Sequence, residues 1–289
     1  MKISVVIGTY NQKDNLKFVL ESFFRQSLYP TEYEIIVVDS FSTDGTDSMI
    51  EQLSPPCRLN YLRRENRGKA AARNFGVNEA KAAVILLTDA DMIADPNLLK
   101  EHLETHTQYK NISVEGVTFN LKNKISIPEL SSSHPNVEAY IKQKLKNGQK
   151  LKWSYFLSGN LSLCKEDFLK AGSFDENFSG YGWEDIELGY RLFKMKVPLI
   201  YNPLAINYHY HFVTNEDMLQ RKYNMGKSAA YFYQKHPNFE IKMFLGMNPI
   251  AMGVFKFLNN QPNLRKKISS QYIQEEYQYR LGLSEGLRS

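Results

Sequence analysis

The stretch Val84-Ile85-Leu86-Leu87-Thr88-Asp89-Ala90-Asp91 decides the fold. Its first four residues form a short apolar run, which is typical of a parallel strand that is buried on both faces. Asp89 and Asp91 follow where that strand should end, and residues two apart in extended backbone project to the same side. We therefore predict that both carboxylates face one point at the carboxyl edge of a sheet, where open α/β folds bind ligands. A divalent cation with phosphate oxygens suits two such acids, and a solvated acidic turn is the alternative.

Strand and helix patterns alternate around this stretch. The predicted strands and helices are Ile3–Ile7, 16–24, Glu34–Val38, 49–53, Leu59–Leu62 and 70–80. This order predicts an α/β fold, a Rossmann-like and mostly parallel sheet with helices on both faces. Gly8 stands alone after the first strand, without a G-x-G-x-x-G pattern, which disfavours a dinucleotide-binding dehydrogenase.

The composition limits the class of protein. The chain has 289 residues, 43% of them hydrophobic, and suits one large domain or a domain with an extension. Its net charge is +5, and residues 241–289 hold seven Lys and Arg against three Glu, so the excess is a local basic tail rather than a nucleic-acid-binding face. Cys57 and Cys164 form neither a disulfide framework nor a metal-binding spacing. No apolar stretch has the length of a signal peptide or a membrane span, which predicts a cytoplasmic protein.

The pattern changes after Asp91. A long excursion over residues 122–150 has the length of a loop that closes over a site. We expect a first domain over residues 1–215, with a nucleotide-binding half at 1–95 and an acceptor half at 96–215. A helical extension is expected over residues 216–289.

Several ordered motifs together resemble a known family. They are Val5–Asn11, Val37–Ser40 with Asp44–Thr46, Arg67–Lys69 with Ala72–Asn74, and Thr88–Asp91. In this order they resemble the nucleotide-binding half of a family 2 glycosyltransferase of the GT-A fold. The segments Gly159–Ser162 and Gly182–Leu192 are similar to the catalytic segment shared by β-1,4-galactosyltransferases and bacterial chondroitin polymerases. The resemblance covers about residues 1–215 and implies transfer of a hexose or N-acetylhexosamine from a UDP-sugar to a hydroxyl of a glycan or glycolipid.

The resemblance implies a nucleotide site at the ends of the first two strands. Asp39 would accept the N3–H of a uracil ring, and its alternative role is that of a turn or helix-capping residue. Thr9, Tyr10, Asn11 and Ser40 would complete this part of the site.

A second group would hold the diphosphate and the sugar. Lys69 and Arg73 lie four residues apart on one helix face and would reach the diphosphate, unless they form a solvated basic face. Asp89 would hold the ribose or a metal-bound water, Ala90 would lie beside it, and Asp91 would ligate the metal.

A histidine late in the chain would complete the metal site. The position of His209 relative to the family motif favours it, and His211 is the alternative. A carboxylate, an imidazole and phosphate oxygens suit Mn²⁺ somewhat better than Mg²⁺.

Two acids carry the implied chemistry. Sugar transfer with inversion needs one base to take the proton of the acceptor hydroxyl, and the resemblance assigns that role to Asp185. Glu184 would bind sugar hydroxyls. The alternative is a pair of helix N-terminal acids that stabilise the helix by about 0.3–1 kcal/mol each.

Four further residues would contact the donor or acceptor sugar. They are Gly159, Asn160, Tyr181 and Trp183. The relatives commonly carry Gly-Gly before Glu-Asp, whereas this chain has Gly182-Trp183. The aromatic rings of Tyr181 and Trp183 are interpreted as acceptor platforms or as core residues.

Residues 243–267 are apolar and basic, and we hypothesise that they lie on an anionic membrane surface near a lipid-linked acceptor. The alternatives are a packed helical extension and a homodimer contact. Two other functions compete with glycosyl transfer. One is a nucleotidyltransferase, which would need a basic, glycine-rich loop after the first strand, and the other is a scaffold that binds a sugar nucleotide without turnover.

Overall fold

The computed structural model of the protein describes residues 1–121, 146–178, 181–210, 214–261 and 270–288. They form two compact units, Met1–Glu176 with Leu188–His211 and Asn177–Glu187 with Phe212–Ser289. This division differs from the expected boundary at residue 215, because residues 177–187 group with the C-terminal helices. Most of the excursion predicted at residues 122–150 lies outside the described residues.

The first unit contains one mixed sheet of nine strands. The strands are β1 (Ile3–Thr9), β2 (Tyr33–Asp39), β3 (Arg58–Arg63), β4 (Val84–Asp89), β5 (Met92–Ala94), β6 (Ser113–Asn120), β7 (Lys150–Leu151), β8 (Asn160–Cys164) and β9 (Leu199–His209). Their order is β3-β2-β1-β4-β8-β6-β9-β5, and β7 pairs with β9. The first four strands in this order are parallel, and β8 runs antiparallel to β4.

Some of the helices belong to the first unit together with the sheet, and the others form most of the second unit. They are α1 (Lys13–Phe23), α2 (Thr46–Glu51), α3 (Lys69–Glu79), α4 (Leu98–Gln108), α5 (Lys165–Lys170), α6 (Glu184–Lys194), α7 (Asn215–Lys235), α8 (Phe239–Phe244), α9 (Pro249–Asn259) and α10 (Gln271–Gly286). The division between the two units falls within α6.

Burial on both faces explains the apolar runs of the central strands. Along β1, Val5 and Ile7 belong to one buried cluster and Val6 to another, as the alternation of side chains in a strand requires. Helix α3 packs closely on the sheet at Gly76, where a Cβ atom would lie 2.6 Å from Cγ1 of Val6. This close packing fixes the C-terminal half of α3 relative to the sheet.

A buried polar chain joins α4 to β8. Nε2 of His102 lies 2.9 Å from Oδ1 of Asn160, and the Ser162 hydroxyl lies 2.8 Å from Nδ1 of His102 and 2.9 Å from Nε2 of His106. Burial lowers the pKa of His102 to about 4 and that of His106 to about 3. Both rings are therefore neutral at pH 7. His102 donates through Nε2 to Asn160, Ser162 donates to His102, and His106 donates to Ser162.

Two helices of the second unit, α8 and α9, begin at asparagine side-chain caps. Asn238 accepts from the amide of Ile241 at the start of α8, and Asn248 accepts from that of Ala251 at the start of α9. Pro249 occupies the first turn of α9, where its missing amide hydrogen has no helical partner to lose.

Helices α7 and α10 approach to backbone contact. A Cβ atom on Gly226 would overlap the carbonyl oxygen of Tyr279, and one on Gly282 would overlap that of Tyr223. Glycine at both positions therefore permits this packing. Within the described ranges, every helix is too short or too polar to span a lipid bilayer.

Candidate active site

The two acids of the opening stretch do not lie in one extended strand. Strand β4 ends at Asp89, and Ala90 and Asp91 form a turn into β5. This corrects the expectation that the two carboxylates project to the same side of a strand. The reason is the antiparallel pairing of β5 with β9, in which Met92 is opposite His209. The turn leaves Oδ2 of Asp91 at 3.5 Å from Nε2 of His209.

His209 is oriented by a residue that the sequence did not suggest. Its Nδ1 lies 2.9 Å from Oδ1 of Asn120, the last residue of β6. An amide oxygen only accepts, so Nδ1 donates to Asn120, and Nε2 is the ring nitrogen on the side of Asp91. A second hydrogen bond of this kind is typical of metal-ligating histidines. His211, the alternative ligand, lies outside the described residues.

Asp89 is held by two cations from α3. Oδ2 accepts from Nζ of Lys69 at 2.8 Å, and Oδ1 accepts from Nη2 of Arg73 at 2.6 Å. Burial opposes the ionisation of Asp89, but the charges of Lys69 and Arg73 outweigh it and lower the pKa of this carboxyl to about 2. The carboxylate is therefore ionised throughout the physiological range.

The two cations differ in exposure. The side chain of Arg73 has no exposed surface, whereas that of Lys69 is 49% exposed. Arg73 is thus buried beside Asp89, and its contact with a diphosphate stays a prediction. Arg73 acts on Asp89, and Lys69 is the member of the pair that a ligand can reach.

Asp39 is also turned into the protein. Its Oδ1 accepts from the amide and hydroxyl of Ser42 at 3.0 and 2.6 Å, and Oδ2 accepts from the Tyr61 hydroxyl at 2.5 Å. Nε of Arg63 lies 3.7 Å from Oδ2. Asp39 is completely buried, and its predicted contact with a uracil ring stays a prediction. The turn role, which the sequence also allowed, describes it here.

The loop after β1 presents two of its predicted residues to solvent. Tyr10 is 50% exposed, and Asn11 is exposed beside it. Thr9 and Ser40 are almost completely buried, and the Thr9 hydroxyl has no hydrogen-bond partner among the described residues. Ala90 is likewise buried. Tyr10 and Asn11 are thus the accessible members of this group.

Of the predicted sugar-site pair at the start of β8, Gly159 lies near Asp89. The Gly159 carbonyl accepts from Thr88 and Asn207, and a Cβ atom on Gly159 would lie 3.9 Å from Oδ2 of Asp89. Asn160 is 1% exposed, and its amide group donates to backbone carbonyls of β6 and β9. Asn160 thus joins β6 and β9 through these hydrogen bonds, and its predicted contact with a sugar stays a prediction.

The predicted catalytic acids lie in the second unit, in the first turn of α6. Both are partly buried, and Oδ1 of Asp185 accepts from the amide of Ile186 at 2.8 Å. Glu187, which the sequence reasoning did not select, is completely buried and accepts from His236 at 2.8 Å and Lys235 at 3.1 Å. Its position between two apolar residues, Ile186 and Leu188, is the only sequence signal of that burial.

The two aromatic residues before these acids differ. Trp183 has a φ of +77°, and its indole donates to the Met225 carbonyl at 2.8 Å. Its ring packs against Phe232, Phe244 and Tyr279. Trp183 is therefore a packing residue of the second unit, the alternative that the sequence left open. Tyr181 is 49% exposed and remains accessible.

Replacing Asp89 with Asn should lower the free energy of unfolding by about 3 kcal/mol at neutral pH, because the buried Arg73 loses its carboxylate. In the wild type, a lowered carboxyl pKa stabilises the fold above the ordinary pKa of about 3.9, and that stability is lost as the pH falls towards the folded pKa of about 2. The variant should therefore lose less stability than the wild type between these values. Urea unfolding at a series of pH values measures this.

The control is Asp14→Asn, which changes an exposed acid on α1 of the same unit. It should reproduce the wild-type dependence of unfolding free energy on pH. If Asp89→Asn did the same, the ion-pair assignment would be contradicted.

Two families of known sequences match the chain. Residues 4–172 match glycosyl transferase family 2, and residues 141–215 match the N-terminal domain of galactosyltransferase. The validoxylamine A glucosyltransferase of Streptomyces hygroscopicus subsp. limoneus is 31% identical over 221 residues, 68% of this chain and 49% of that protein. The chondroitin synthase of Escherichia coli is 26% identical over 82% of this chain and 39% of its own length. The chain thus spans about half the length of the first relative and less of the second.

Solved structures of low sequence identity share the fold. The mannosyltransferase of Pyrobaculum calidifontis in complex with GDP-Man and Mn²⁺ has a TM-score of 0.67 and 16% identity, covering 99% of this chain and 87% of that one. Residues 1–349 of TarS from S. aureus, in complex with UDP-GlcNAc, have a TM-score of 0.60 and 16% identity, covering 98% and 91%. The predicted GT-A fold is confirmed, and the family match favours glycosyl transfer over nucleotidyl transfer. The chain belongs to glycosyl transferase family 2.

Proposed function

We propose that the chain moves a hexose or an N-acetylhexosamine from a UDP-sugar to a hydroxyl of a glycan or lipid-linked acceptor, with inversion at the anomeric carbon. One observation carries this proposal, the approach of His209 to Asp91 at the end of the strand that holds the ionised Asp89. This combination suits the charge of a nucleoside diphosphate with its cation. The TarS complex with UDP-GlcNAc supports UDP as the nucleotide. The mannosyltransferase complex with GDP-Man makes GDP the alternative nucleotide to test.

Asp91 and His209 would hold a divalent cation, Mn²⁺ or Mg²⁺. The described part of the chain contains no cluster of three or more His, Cys, Asp or Glu arranged for a metal. A carboxylate and an imidazole would therefore leave the other coordination positions to diphosphate oxygens. The ring orientation set by Asn120 supports this assignment. When bound, the cation would neutralise the charge of the leaving diphosphate.

Asp185 would act as the general base. The acceptor oxygen forms a bond to the anomeric carbon as the bond from that carbon to the diphosphate oxygen breaks. The acceptor proton passes to the Asp185 carboxylate, and the electron pair leaves with the diphosphate. The Asp185 carboxylate would accept the proton late, when the attacking hydroxyl has become acidic. Glu184 would bind sugar hydroxyls.

The solvent-exposed residues of the candidate site would contact the donor nucleotide and the acceptor sugar. Tyr10 and Asn11 would meet the nucleoside, and Lys69 would meet the diphosphate by exchanging part of its contact with Asp89. Tyr181, with the Arg221 guanidinium 5.1 Å from its ring centroid, would serve as a platform for the acceptor sugar.

Helix α9 would lie on an anionic membrane surface at the inner face of the cell membrane. Ile250, Val254 and Phe257 are spaced along one helix face and are 82%, 55% and 58% exposed. From residue 241 to residue 274 the sequence has no acidic residue and five basic ones, Lys242, Lys256, Arg265, Lys266 and Lys267. An apolar face flanked by positive charge alone suits anionic lipid headgroups.

Replacing Asp185 with Asn should leave UDP binding unchanged and lower sugar transfer by about 10²-fold or more, because an amide cannot accept the proton. The wild type is first screened for Mn²⁺-dependent nucleotide release from UDP-galactose, UDP-N-acetylhexosamines and GDP-mannose. The variant is then assayed with the active donor, and its UDP affinity is measured by calorimetry.

Asp217→Asn is the matched control, since Asp217 is a first-turn acid of α7 in the same unit. It should retain transfer. Near-normal turnover of Asp185→Asn would mean that another group is the base, and release of nucleotide from none of the donors would contradict the proposed function.

Replacing Asn120 with Ala should weaken Mn²⁺ binding in the presence of UDP by about 10- to 100-fold, because the His209 ring loses the bond that orients it. Asn120→Asp should keep the affinity, since a carboxylate accepts the same N–H. Electron paramagnetic resonance of free Mn²⁺ measures the affinity independently of turnover. Equal affinities for the wild type and Asn120→Ala would refute this role for Asn120.

Replacing Phe257 with Glu should reduce recovery of the protein with phosphatidylglycerol vesicles at low salt by about tenfold, because burial of one Phe is worth ~1.5–3 kcal/mol. The control, Phe193→Glu, alters a ring of similar exposure in the first unit and should float like the wild type. Wild-type protein that stays unbound would rule out the membrane contact. A dimer in solution that Phe257→Glu dissociates would favour the homodimer instead.

A further inference from the structure

Phe41 combines two unfavourable features at the carboxyl edge of the sheet. Its φ of +59° lies in the left-handed region, and its side chain is 52% exposed. A glycine would adopt this backbone without strain, and a bulky residue there is a genuine outlier. Exposure of a large ring to water gives up the free energy that its burial would release. Strained residues of this kind concentrate at ligand sites.

The ring has a rigid support. The guanidinium carbon of Arg63 lies 5.5 Å from the centroid of the Phe41 ring. Arg63 is itself held by the Asp47 carboxylate at 3.1 Å and the Ser42 carbonyl at 3.0 Å. The cation is therefore fixed beside the ring and limits its movement. What remains of the ring surface faces solvent.

Hydrogen bonds tie the loop of Phe41 to the loop after β1. The amide of Ser40 donates to the Thr9 carbonyl at 3.0 Å, and the amide of Asn11 donates to the Ser42 hydroxyl at 2.8 Å. Tyr10 is the first residue after β1, and Phe41 is the second residue after β2. Two exposed aromatic side chains therefore follow neighbouring parallel strands at the edge where α/β folds bind ligands.

We propose that Phe41 is the platform on which the nucleobase of the donor stacks. This inference rests on the proposed function, because it requires a nucleoside diphosphate at this edge of the sheet. Stacking needs an accessible π face and no hydrogen-bond donor, which an exposed phenyl ring supplies and the buried Asp39 carboxylate does not. A flat heteroaromatic base stacks over the face of such a ring, whereas a diphosphate or a saturated sugar contacts less of that face.

Replacing Phe41 with Gly separates binding from folding. Glycine accepts the left-handed backbone, so the melting temperature should stay equal or rise. The dissociation constants of UDP and uridine should increase roughly 5- to 150-fold, the equivalent of ~1–3 kcal/mol for one base stacked on an aromatic ring. The affinity for inorganic pyrophosphate, which has no base, should be unchanged. Calorimetry with Mn²⁺ present gives all three constants.

Two further variants complete the test. Phe41→Trp keeps an aromatic face and should bind UDP within about twofold of the wild type. Tyr29→Ala removes another exposed aromatic ring of the same unit and should change neither constant. An unchanged UDP affinity in Phe41→Gly, or an equal loss for pyrophosphate, overturns the inference. Wild-type protein that binds neither UDP nor GDP refutes the proposed function itself, and this inference with it.

Discussion

A guanidinium with no exposed surface constrains the candidate site. Arg73 needs an ionised carboxylate within reach, because a buried charge without a partner costs several kcal/mol, and Asp89 supplies one at 2.6 Å. Since Asp89 is the last residue of β4, this contact fixes helix α3, the strand and the following turn relative to one another. That turn then positions Asp91 beside His209. Asp89, which the sequence predicts as a ligand-binding acid, is thus held in the framework of the protein by its contact with Arg73.

The fold was predictable because it depends on local pattern. The runs Ile3–Ile7, Glu34–Val38 and Val84–Leu87 became β1, β2 and β4, with ends that differ by one or two residues. Parallel strands that are buried on both faces leave near-continuous apolar runs, and such runs can be read without knowledge of their neighbours. The placement of Asp91 near His209 came from the family resemblance, since no local pattern links residues so far apart in the chain.

Side-chain burial was not predictable in the same way. Asp39 and Asn160 have side chains that suit a ligand or a core equally well in the sequence. Each points inward because backbone groups close to it need partners, the Ser42 amide for Asp39 and two strand carbonyls for Asn160. The geometry of Asp89 and Asp91 was missed for a different reason. A strand distant in the chain, β9, pairs with β5 and imposes a turn that local spacing does not reveal.

The glycine contact between α7 and α10 has a consequence for how the protein is made. The segment with Glu184 and Asp185 is attached to the second unit through Trp183, whose ring touches Tyr279 on α10. Helix α10 is translated long after that segment. On the ribosome, Glu184 and Asp185 therefore lack the support of α10 while the sheet of the first unit can already assemble. Until Gly226 and Gly282 meet, the growing chain holds the strands of the first unit, whereas Trp183 still lacks its contact with Tyr279.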